Sequence, residues 1–325
     1  MKLKDIKPGE TKVVECAILN VEERETKNKD KFLMLAVSDG DSQKMLKKWN
    51  ERKETFKFAA GQVVLAEVQA EEYKGELTYV IKNLTASSAD VRQFIPSAPI
   101  DAEKMYKFLY QTAGRCGVYA KTTQRLLQDN KEKLLVCAAG KSMHHNLCGG
   151  LLYHTYRMVK TVAFIASSVY NKEPSMLPGC RNLNIELLVA GTILHDFGKL
   201  WCIETNTIGS SEYTPKEKLM GHLFLGAEIA GKYAREDGVA EEDVMLLQHL
   251  ILAHHGEYEY QTVAVPAVPE AMILHYVDMI DSRMYMFETQ EAALEPGTMA
   301  PAAYLGLAQN VYRPTWRVAE EKKQG

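Results

Sequence analysis

The sequence predicts a multidomain α+β protein, with a small five-stranded β-barrel at the N-terminus and an all-helical domain after it. Two observations indicate this division. Short apolar runs separated by polar turns fill residues 1–90, whereas apolar residues spaced by three and four dominate from Ala102 onward. All nine histidines lie between His144 and His275, so we expect any histidine chemistry in the helical part.

The N-terminal region contains five short strand patterns joined by polar turns such as KNKDK and Lys74-Gly75. The patterns are VVECAILNVEERE, FLMLAVSDGD, KMLKKW, GQVVLAEVQAEEY and ELTYVIKNL. Five hairpin-linked strands in so short a span are typical of a Greek-key barrel of the OB type, which binds nucleic acids. We therefore predict an OB-fold domain over residues 1–92, with another small barrel or a sandwich as the alternative.

The remainder of the chain is predicted in three parts. FIPSAPIDAEK carries two prolines and a helix start at Asp101, so residues 93–136 are interpreted as a linker and helical connection. Amphipathic patterns continue through residues 137–300, which we assign to one helical domain. Residues 301–325 end in charged residues and are interpreted as a peripheral C-terminal tail.

Composition excludes several classes of protein. The net charge is −3, which argues against binding duplex nucleic acid by charge alone, while single strands could still bind by aromatic stacking. No apolar run approaches the roughly 18–20 residues of a membrane span, and no signal peptide is recognised, so we expect a cytoplasmic protein without a membrane partner. The six cysteines form no CxxC pair, which argues against a disulfide framework or a cysteine zinc site.

Five helical patterns carry potential metal ligands among apolar residues. A single buried histidine is usually a hydrogen-bonded core residue, but ionisable groups on five separate segments favour a shared site on facing helices. The seven candidates exceed what one ion needs if water also binds, so we predict two divalent ions bridged by Asp196. The candidate ligands are His154, His195, Asp196, His222, His254, His255 and Asp278.

This order of ligands in a helical domain resembles the HD phosphohydrolase superfamily in its two-metal form. The combination of an OB-like domain with HHNLCGGLLYHTYRM, ILHDFGK, GHLFLG, AHHG and LHYVDMIDSRM more closely resembles the YhaM-type 3′-to-5′ exoribonuclease family. The resemblance covers nearly the whole chain and implies Mn²⁺ as the metal. The mixed imidazole and carboxylate donors also suit Fe²⁺, Co²⁺ or Zn²⁺. One departure is Glu217, which stands where the family pattern leads us to expect a glycine.

Three residues are predicted to act in catalysis. Asp196 bridges the ions, and Lys199 places its ammonium against a phosphoryl oxygen; the alternative is a surface lysine after a helix-ending Gly198. Asp281, three residues after Asp278 on the same helix face, orients a ligand histidine or the attacking water, or else pairs with an arginine inside the helical bundle. The predicted substrate contacts are His144, His145, Phe32, Trp49 and Lys47.

From the residues, we predict metal-dependent phosphoester hydrolysis. The resemblance implies hydrolysis of single-stranded RNA, with single-stranded DNA as a further substrate, from the 3′ end to nucleoside 5′-monophosphates. One alternative is an HD phosphohydrolase acting on a small nucleotide or a cyclic nucleotide, although no GYP triplet follows His254-His255-Gly256. The other is a nucleic-acid-binding module without catalysis. The oligomeric state is open, with a homo-oligomer among the alternatives.

Overall fold

The structure is a computed structural model of the 325-residue chain. It describes residues 2–26, 29–73, 76–94, 98–140, 148–172, 183–205, 211–260, 262–292, 294–301 and 310–317. These residues divide into two compact units. The first covers the described residues of Met1–Ser97 with Thr205, and the second those of Ala98–Glu204 and Ser211–Gly325.

The N-terminal unit is a closed barrel of five strands in the order β1-β2-β3-β5-β4. All neighbouring pairs are antiparallel except β3 and β5, which are parallel, and β1 closes the barrel by pairing with β4. The fold class predicted from sequence, an OB-like barrel followed by a helical domain, is confirmed. The strands are β1 (Thr11–Glu25), β2 (Lys31–Ser38), β3 (Gln43–Trp49), β4 (Val63–Tyr73) and β5 (Glu76–Ala86).

Alternation along each strand fills the barrel with apolar side chains. On β2, Leu33, Leu35 and Val37 are almost fully buried in this core. The strand ends where Asp39, itself buried, accepts hydrogen bonds from the backbone N–H groups of Leu3 and Ser42. The Asp-Gly pair that follows β2 is therefore a structural turn, in which the carboxylate satisfies backbone donors.

The second unit is built of helices, which begin as the sequence predicts at Asp101. The Asp101 side chain accepts a hydrogen bond from the Lys104 N–H and caps the first helix. The helices are α1 (Ala102–Ala113), α2 (Ala120–Asp129), α3 (Lys131–Val136), α4 (Gly150–Ile165), α5 (Ile185–Leu194), α6 (Lys199–Cys202), α7 (Pro215–Leu219), α8 (His222–Glu236), α9 (Glu241–Ala253) and α10 (Pro269–Ala292).

The first three helices share one hydrophobic core with the helices that follow. Leu109 of α1, Leu126 of α2 and Leu134 of α3 are buried in the same cluster as Leu188 of α5 and Leu250 of α9. The structure thus differs from the interpretation of residues 93–136 as a connection. A polar surface and apolar spacing look the same whether a helix links two domains or covers the edge of one.

Short strands complete the second part of the chain, as β6 (Ile203–Thr205), β7 (Ser211–Tyr213), β8 (Met299–Pro301) and β9 (Asn310–Tyr312). β9 lies within the segment interpreted as a peripheral tail. It pairs with β8, and its Val311 is buried against Met286 of α10. This described portion of the tail is therefore part of the folded unit. No helix among the described residues is both long and apolar enough to cross a bilayer.

Candidate metal centre

His195 and Asp196 lie in a tight turn directly after α5. This helix is buried from Leu187 to Leu194, which explains why its sequence is apolar on every face. The turn packs against the start of α8 so closely that a Cβ at Gly198 would lie 2.0 Å from the His222 carbonyl oxygen. Gly198 therefore allows the backbone contact that brings His222 to the turn, and its φ of −57° is that of a right-handed helix, not of a helix-ending glycine.

Asp196 stands at the centre of the imidazoles. Its Oδ2 lies 3.3 Å from His195 Nε2 and 4.0 Å from His154 Nε2. Its Oδ1 lies 3.6 Å from both His222 Nε2 and His254 Nε2. The two carboxylate oxygens thus face two different pairs of histidines, which is the arrangement that a carboxylate shared by two cations requires.

The seven predicted ligands, which we call the His/Asp cluster, lie together in the structure. Three groups within it each place three potential ligand atoms within 4.8 Å of one another. The groups are His154-His195-Asp196, His195-His254-Asp278 and His222-His254-His255.

Hydrogen bonds to backbone carbonyls fix three of the ring orientations. Nδ1 of His195 lies 2.8 Å from the Thr192 carbonyl oxygen. Nδ1 of His254 lies 2.7 Å from that of Ile251, and Nδ1 of His255 lies 2.8 Å from that of Tyr260. A carbonyl oxygen can only accept, so each Nδ1 carries the proton. Each Nε2 then presents a lone pair, as a metal ligand must.

Carboxylates orient the other two histidines. His154 Nδ1 lies 2.8 Å from Asp281 Oδ2, whose other oxygen accepts from Arg157 Nε at 2.7 Å. His222 Nδ1 lies 3.1 Å from Glu217 Oε1. Partners of this kind set the tautomer of a ligand histidine and raise its basicity.

Two of these orienting residues were missed by the sequence analysis. Glu217 precedes His222 by five residues on a separate helix, so spacing alone could not pair them. Arg157 follows His154 by three residues, one turn on the same helix, and that spacing was the available signal. The carboxylate of Asp278 also accepts from Ser282 Oγ at 3.2 Å, another contact within one helix that spacing could have suggested.

Lys199 is buried, and its Nζ lies 2.6 Å from Asp196 Oδ2. The alternative interpretation of a surface lysine is wrong. Burial disfavours the ammonium, but the Asp196 carboxylate outweighs this effect and raises the pKa of Lys199. Burial likewise opposes ionisation of Asp196, yet Lys199 and His195 together hold the pKa of Asp196 well below its usual range. The contact of Lys199 with a phosphoryl oxygen stays a prediction.

Burial keeps part of the cluster ready to bind a cation. It lowers the pKa of His254 to about 3, with only partial compensation by Asp196, and it also lowers the pKa of His255. Both rings are therefore neutral near pH 7. His154 differs: burial disfavours its charge, but Asp278 and Asp281 outweigh burial and raise the pKa of His154 to about 9.

Whether the cluster fits a metal can be tested on its buried polar atoms that make no hydrogen bond. Nε2 of His195, Nε2 of His222 and Oδ1 of Asp196 are such atoms, and all three point into the cluster. Leaving one buried acceptor unsatisfied costs about 1–3 kcal/mol. A cation bound among these lone pairs would satisfy them together, so the residues present fit a divalent metal.

Five residues were predicted to contact the substrate. His144 and His145 lie outside the described residues. In the barrel, Phe32 of β2 stands opposite Trp49 of β3, with ring centroids 4.7 Å apart. Lys47 stands two residues before Trp49 on β3, so it points to the same face.

A comparison with known families agrees with this geometry. Residues 151–283 match the family model of the HD domain, and that range contains the whole His/Asp cluster together with Lys199 and Asp281. Residues 151–283 thus form an HD domain, and such a domain indicates a metal-dependent phosphohydrolase. The resemblance to the YhaM-type family stays a prediction.

Proposed function

We propose that this protein is a metal-dependent 3′-to-5′ exonuclease of single-stranded RNA that releases nucleoside 5′-monophosphates and also accepts single-stranded DNA. The observation that carries the proposal is the presence, in one chain, of an HD site and an OB-like barrel that exposes the Trp49 ring on its outer face. The polarity and the preference for RNA rest on the family resemblance.

The outer face of β2 and β3 supports binding of unstacked bases. Phe32 points away from the barrel core, because Leu33 and Leu35 beside it point inward, but the Trp49 ring packs against it and only 8% of its surface is exposed. Its partner Trp49 keeps 40% of its surface exposed, and Lys47 opposite Met34 adds a cation. Aromatic platforms beside cations are how OB barrels bind single strands without reading their sequence. A hydrolase for mononucleotides has no need of such a face.

The His/Asp cluster supports hydrolysis of a phosphodiester. His154, His195, Asp196 and Asp278 would hold one divalent ion, and His222, His254 and His255 a second one with Asp196 shared. Two such ions supply an activated water and neutralise charge on the phosphoryl oxygens. We propose Mn²⁺, with Fe²⁺, Co²⁺ or Zn²⁺ as alternatives that the donors also suit.

The protein's own groups then have separate tasks. Asp281 and Glu217 hold the rings of His154 and His222 by their Nδ1 protons. Lys199 balances the charge of Asp196 and, in our proposal, contacts a non-bridging phosphoryl oxygen during hydrolysis.

The test is the pattern of products from RNA oligonucleotides labelled at one end. With Mn²⁺ and a 5′ label, we expect a ladder of shortening products, and with a 3′ label, immediate release of a labelled 5′-mononucleotide. Hydrolysis of small phosphodiesters without shortening of the oligonucleotide would replace the proposal with a small-nucleotide phosphohydrolase. Oligonucleotide binding without any hydrolysis would indicate the non-catalytic module.

A further inference from the structure

The segment Ser211–Leu219, which we call the rim segment, is attached both to α6 and to His222 of the His/Asp cluster. Thr214 Oγ1 donates to the Trp201 oxygen and Thr214 N to the Cys202 oxygen, which ties the segment to the helix that begins with Lys199. Glu217 Oε1 accepts from His222 Nδ1. The position of the rim segment is therefore set by both attachments.

The orientation of Glu217 decides what the neighbouring residues present. On a helix, adjacent residues point about 100° apart, so a Glu217 side chain directed at His222 leaves Lys216 and Lys218 on its two flanks. Both lysines are exposed. Within the described part of the chain, neither ammonium makes a hydrogen bond or an ion pair. The Glu217 carboxylate is directed at His222 and forms no ion pair with either of these two lysines.

An aromatic side chain stands at the start of the same segment. Tyr213 of β7 is 44% exposed and directly precedes Thr214. The next residue, Thr214, is hydrogen-bonded to Trp201 and Cys202 of the helix that begins with Lys199. An exposed ring on a strand bonded to this helix, followed by two cations, is the combination that binds a base and the adjacent phosphates of a single strand.

We propose that the rim segment is a substrate-binding site for single-stranded nucleic acid, in which Tyr213 stacks on a base near the scissile bond and Lys216 and Lys218 bind backbone phosphates. The proposal rests on the proposed function, because it assigns a polymer to the same metal centre. It also gives Glu217 a second role. By binding His222, Glu217 would hold Lys216 and Lys218 beside the reacting phosphate.

Besides Glu217, the rim segment contains one further carboxylate, that of Glu212, which is exposed. It precedes Tyr213 and therefore points to the other face of β7. Both lysines lie on α7, after Tyr213 in the chain. We therefore expect the backbone phosphates of the bound strand to run from the base stacked on Tyr213 toward α7.

The test compares the double variant Lys216→Ala/Lys218→Ala with a control that loses the same charge. The control is Lys107→Ala/Lys232→Ala, because these lysines are exposed on α1 and near the end of α8, and neither adjoins a residue of the His/Asp cluster. Three quantities are measured on the full chain: KM and kcat for a single-stranded oligonucleotide, kcat/KM for bis(4-nitrophenyl) phosphate, and the affinity for a fluorescent oligonucleotide in chelator against salt concentration.

For the rim variant we expect KM for the oligonucleotide to rise about tenfold, from the loss of two exposed ionic contacts. We expect kcat and the hydrolysis of the small ester to stay within about twofold. The slope of log affinity against log salt should become shallower by about 1.4, since two single-strand phosphate contacts are lost. Tyr213→Leu should weaken affinity without changing this slope.

Three results would overturn the proposal. The rim and control variants could bind the oligonucleotide equally and with the same salt slope. The small ester and the oligonucleotide could lose activity equally, which would mean that the lysines act through His222. Tyr213→Leu could leave affinity unchanged. The proposed function fails separately if the wild-type protein does not shorten the oligonucleotide. The binding measurement in chelator requires no hydrolysis and therefore tests the rim segment alone.

Discussion

Asp281 Oδ2 lies 2.8 Å from His154 Nδ1, while its other oxygen lies 2.7 Å from Arg157 Nε. The carboxylate is buried, so its contacts are set by packing and are shielded from solvent. Arg157 and Asp281 together fix the ring of His154, a predicted metal ligand, through its Nδ1 atom. It makes Asp281 a positioning residue that acts through His154.

We expect Asp281→Asn to weaken metal binding by about 10–100-fold, the usual effect of removing a partner that orients a ligand. The variant should also lower the pKa of His154 in metal-free protein, because one of the two carboxylates that raise it is lost. Metal titration and histidine NMR measure the two effects. Glu288→Gln is the control, because Glu288 also approaches Arg157, at 3.8 Å, but is exposed. Equal behaviour of the two variants would contradict the assigned role.

Glu217→Ala should weaken binding of one metal equivalent by about 10–100-fold, because His222 loses the acceptor of its Nδ1 proton. Glu217→Gln should recover most of the affinity, since the amide oxygen can still accept that proton. Metal stoichiometry by mass spectrometry distinguishes the variants. If Gln and Ala lose affinity equally, the negative charge matters more than the hydrogen bond.

Lys199→Met should separate the structural and the catalytic roles of the ammonium. In metal-free protein, Asp196 would be left buried without its cation, so we expect the free energy of unfolding to fall by about 3–5 kcal/mol. With metal bound, we expect kcat to fall by about 100–1000-fold if the ammonium stabilises the transition state. Denaturant unfolding and steady-state kinetics measure the two. A metal-loaded variant with unchanged kcat would remove Lys199 from the reaction.

Gly198→Ala should disrupt the turn that carries the HD pair. The added Cβ would meet the His222 carbonyl oxygen at 2.0 Å and the Gly226 nitrogen at 2.8 Å, both backbone atoms that cannot rotate away. We expect a loss of at least about 3 kcal/mol in stability or displacement of His222 from the cluster. Gly226→Ala is the graded control, because its Cβ would meet its nearest neighbours only at 3.2–3.3 Å. Thermal unfolding of both variants decides whether the contact is as tight as the structure indicates.

An ion-pair cluster away from the metal centre gives a dependence of stability on pH. The side chain of Asp237 is almost fully buried and contacts Arg125 at 2.8 Å and Lys121 at 3.1 Å. Burial opposes its ionisation, but Lys121, Thr122 and Arg125 hold the pKa of Asp237 below its ordinary value. Because the folded pKa is the lower one, the stabilisation is complete above the unfolded pKa of about 3.9 and is lost as pH falls through the folded pKa.

Asp237→Asn should therefore lower the free energy of unfolding by about 1.5–3 kcal/mol at pH 7. The difference from wild type should shrink below about pH 4 and vanish once Asp237 is protonated in the folded state. Denaturant unfolding of both proteins at several pH values measures this. A difference that stays constant down to pH 2 would mean that the variant acts through packing and not through charge.

Much of the architecture could be predicted from sequence because its signals are local. Five alternating runs predicted the five-stranded barrel, and seven ionisable residues within apolar helical patterns are brought together in the structure. Four of the seven, His154, His195, Asp196 and His254, are buried, and the cost of burying an ionisable group without a partner is what makes such residues recognisable.

The parts that were missed depend on contacts between distant segments. Glu217 meets His222 across the end of a separate short helix, so no periodicity connects them. Lys199 is buried beside Asp196, although a lysine after a glycine is locally indistinguishable from a surface lysine. The pairing of β9 with β8 joins a segment of ordinary polarity to the fold, because three-residue strands carry too few residues to show alternation.

The central claim is that the His/Asp cluster holds divalent ions that hydrolyse phosphodiesters. Its most direct test is metal content measured in parallel with oligonucleotide hydrolysis, for wild type and for His195→Ala/Asp196→Ala. We predict about two metal equivalents in wild type, with stepwise 3′ shortening in Mn²⁺, and loss of both metal and hydrolysis in the variant while the barrel keeps its affinity for the oligonucleotide. A wild-type protein without metal, or a variant that hydrolyses as fast as wild type, would contradict the account.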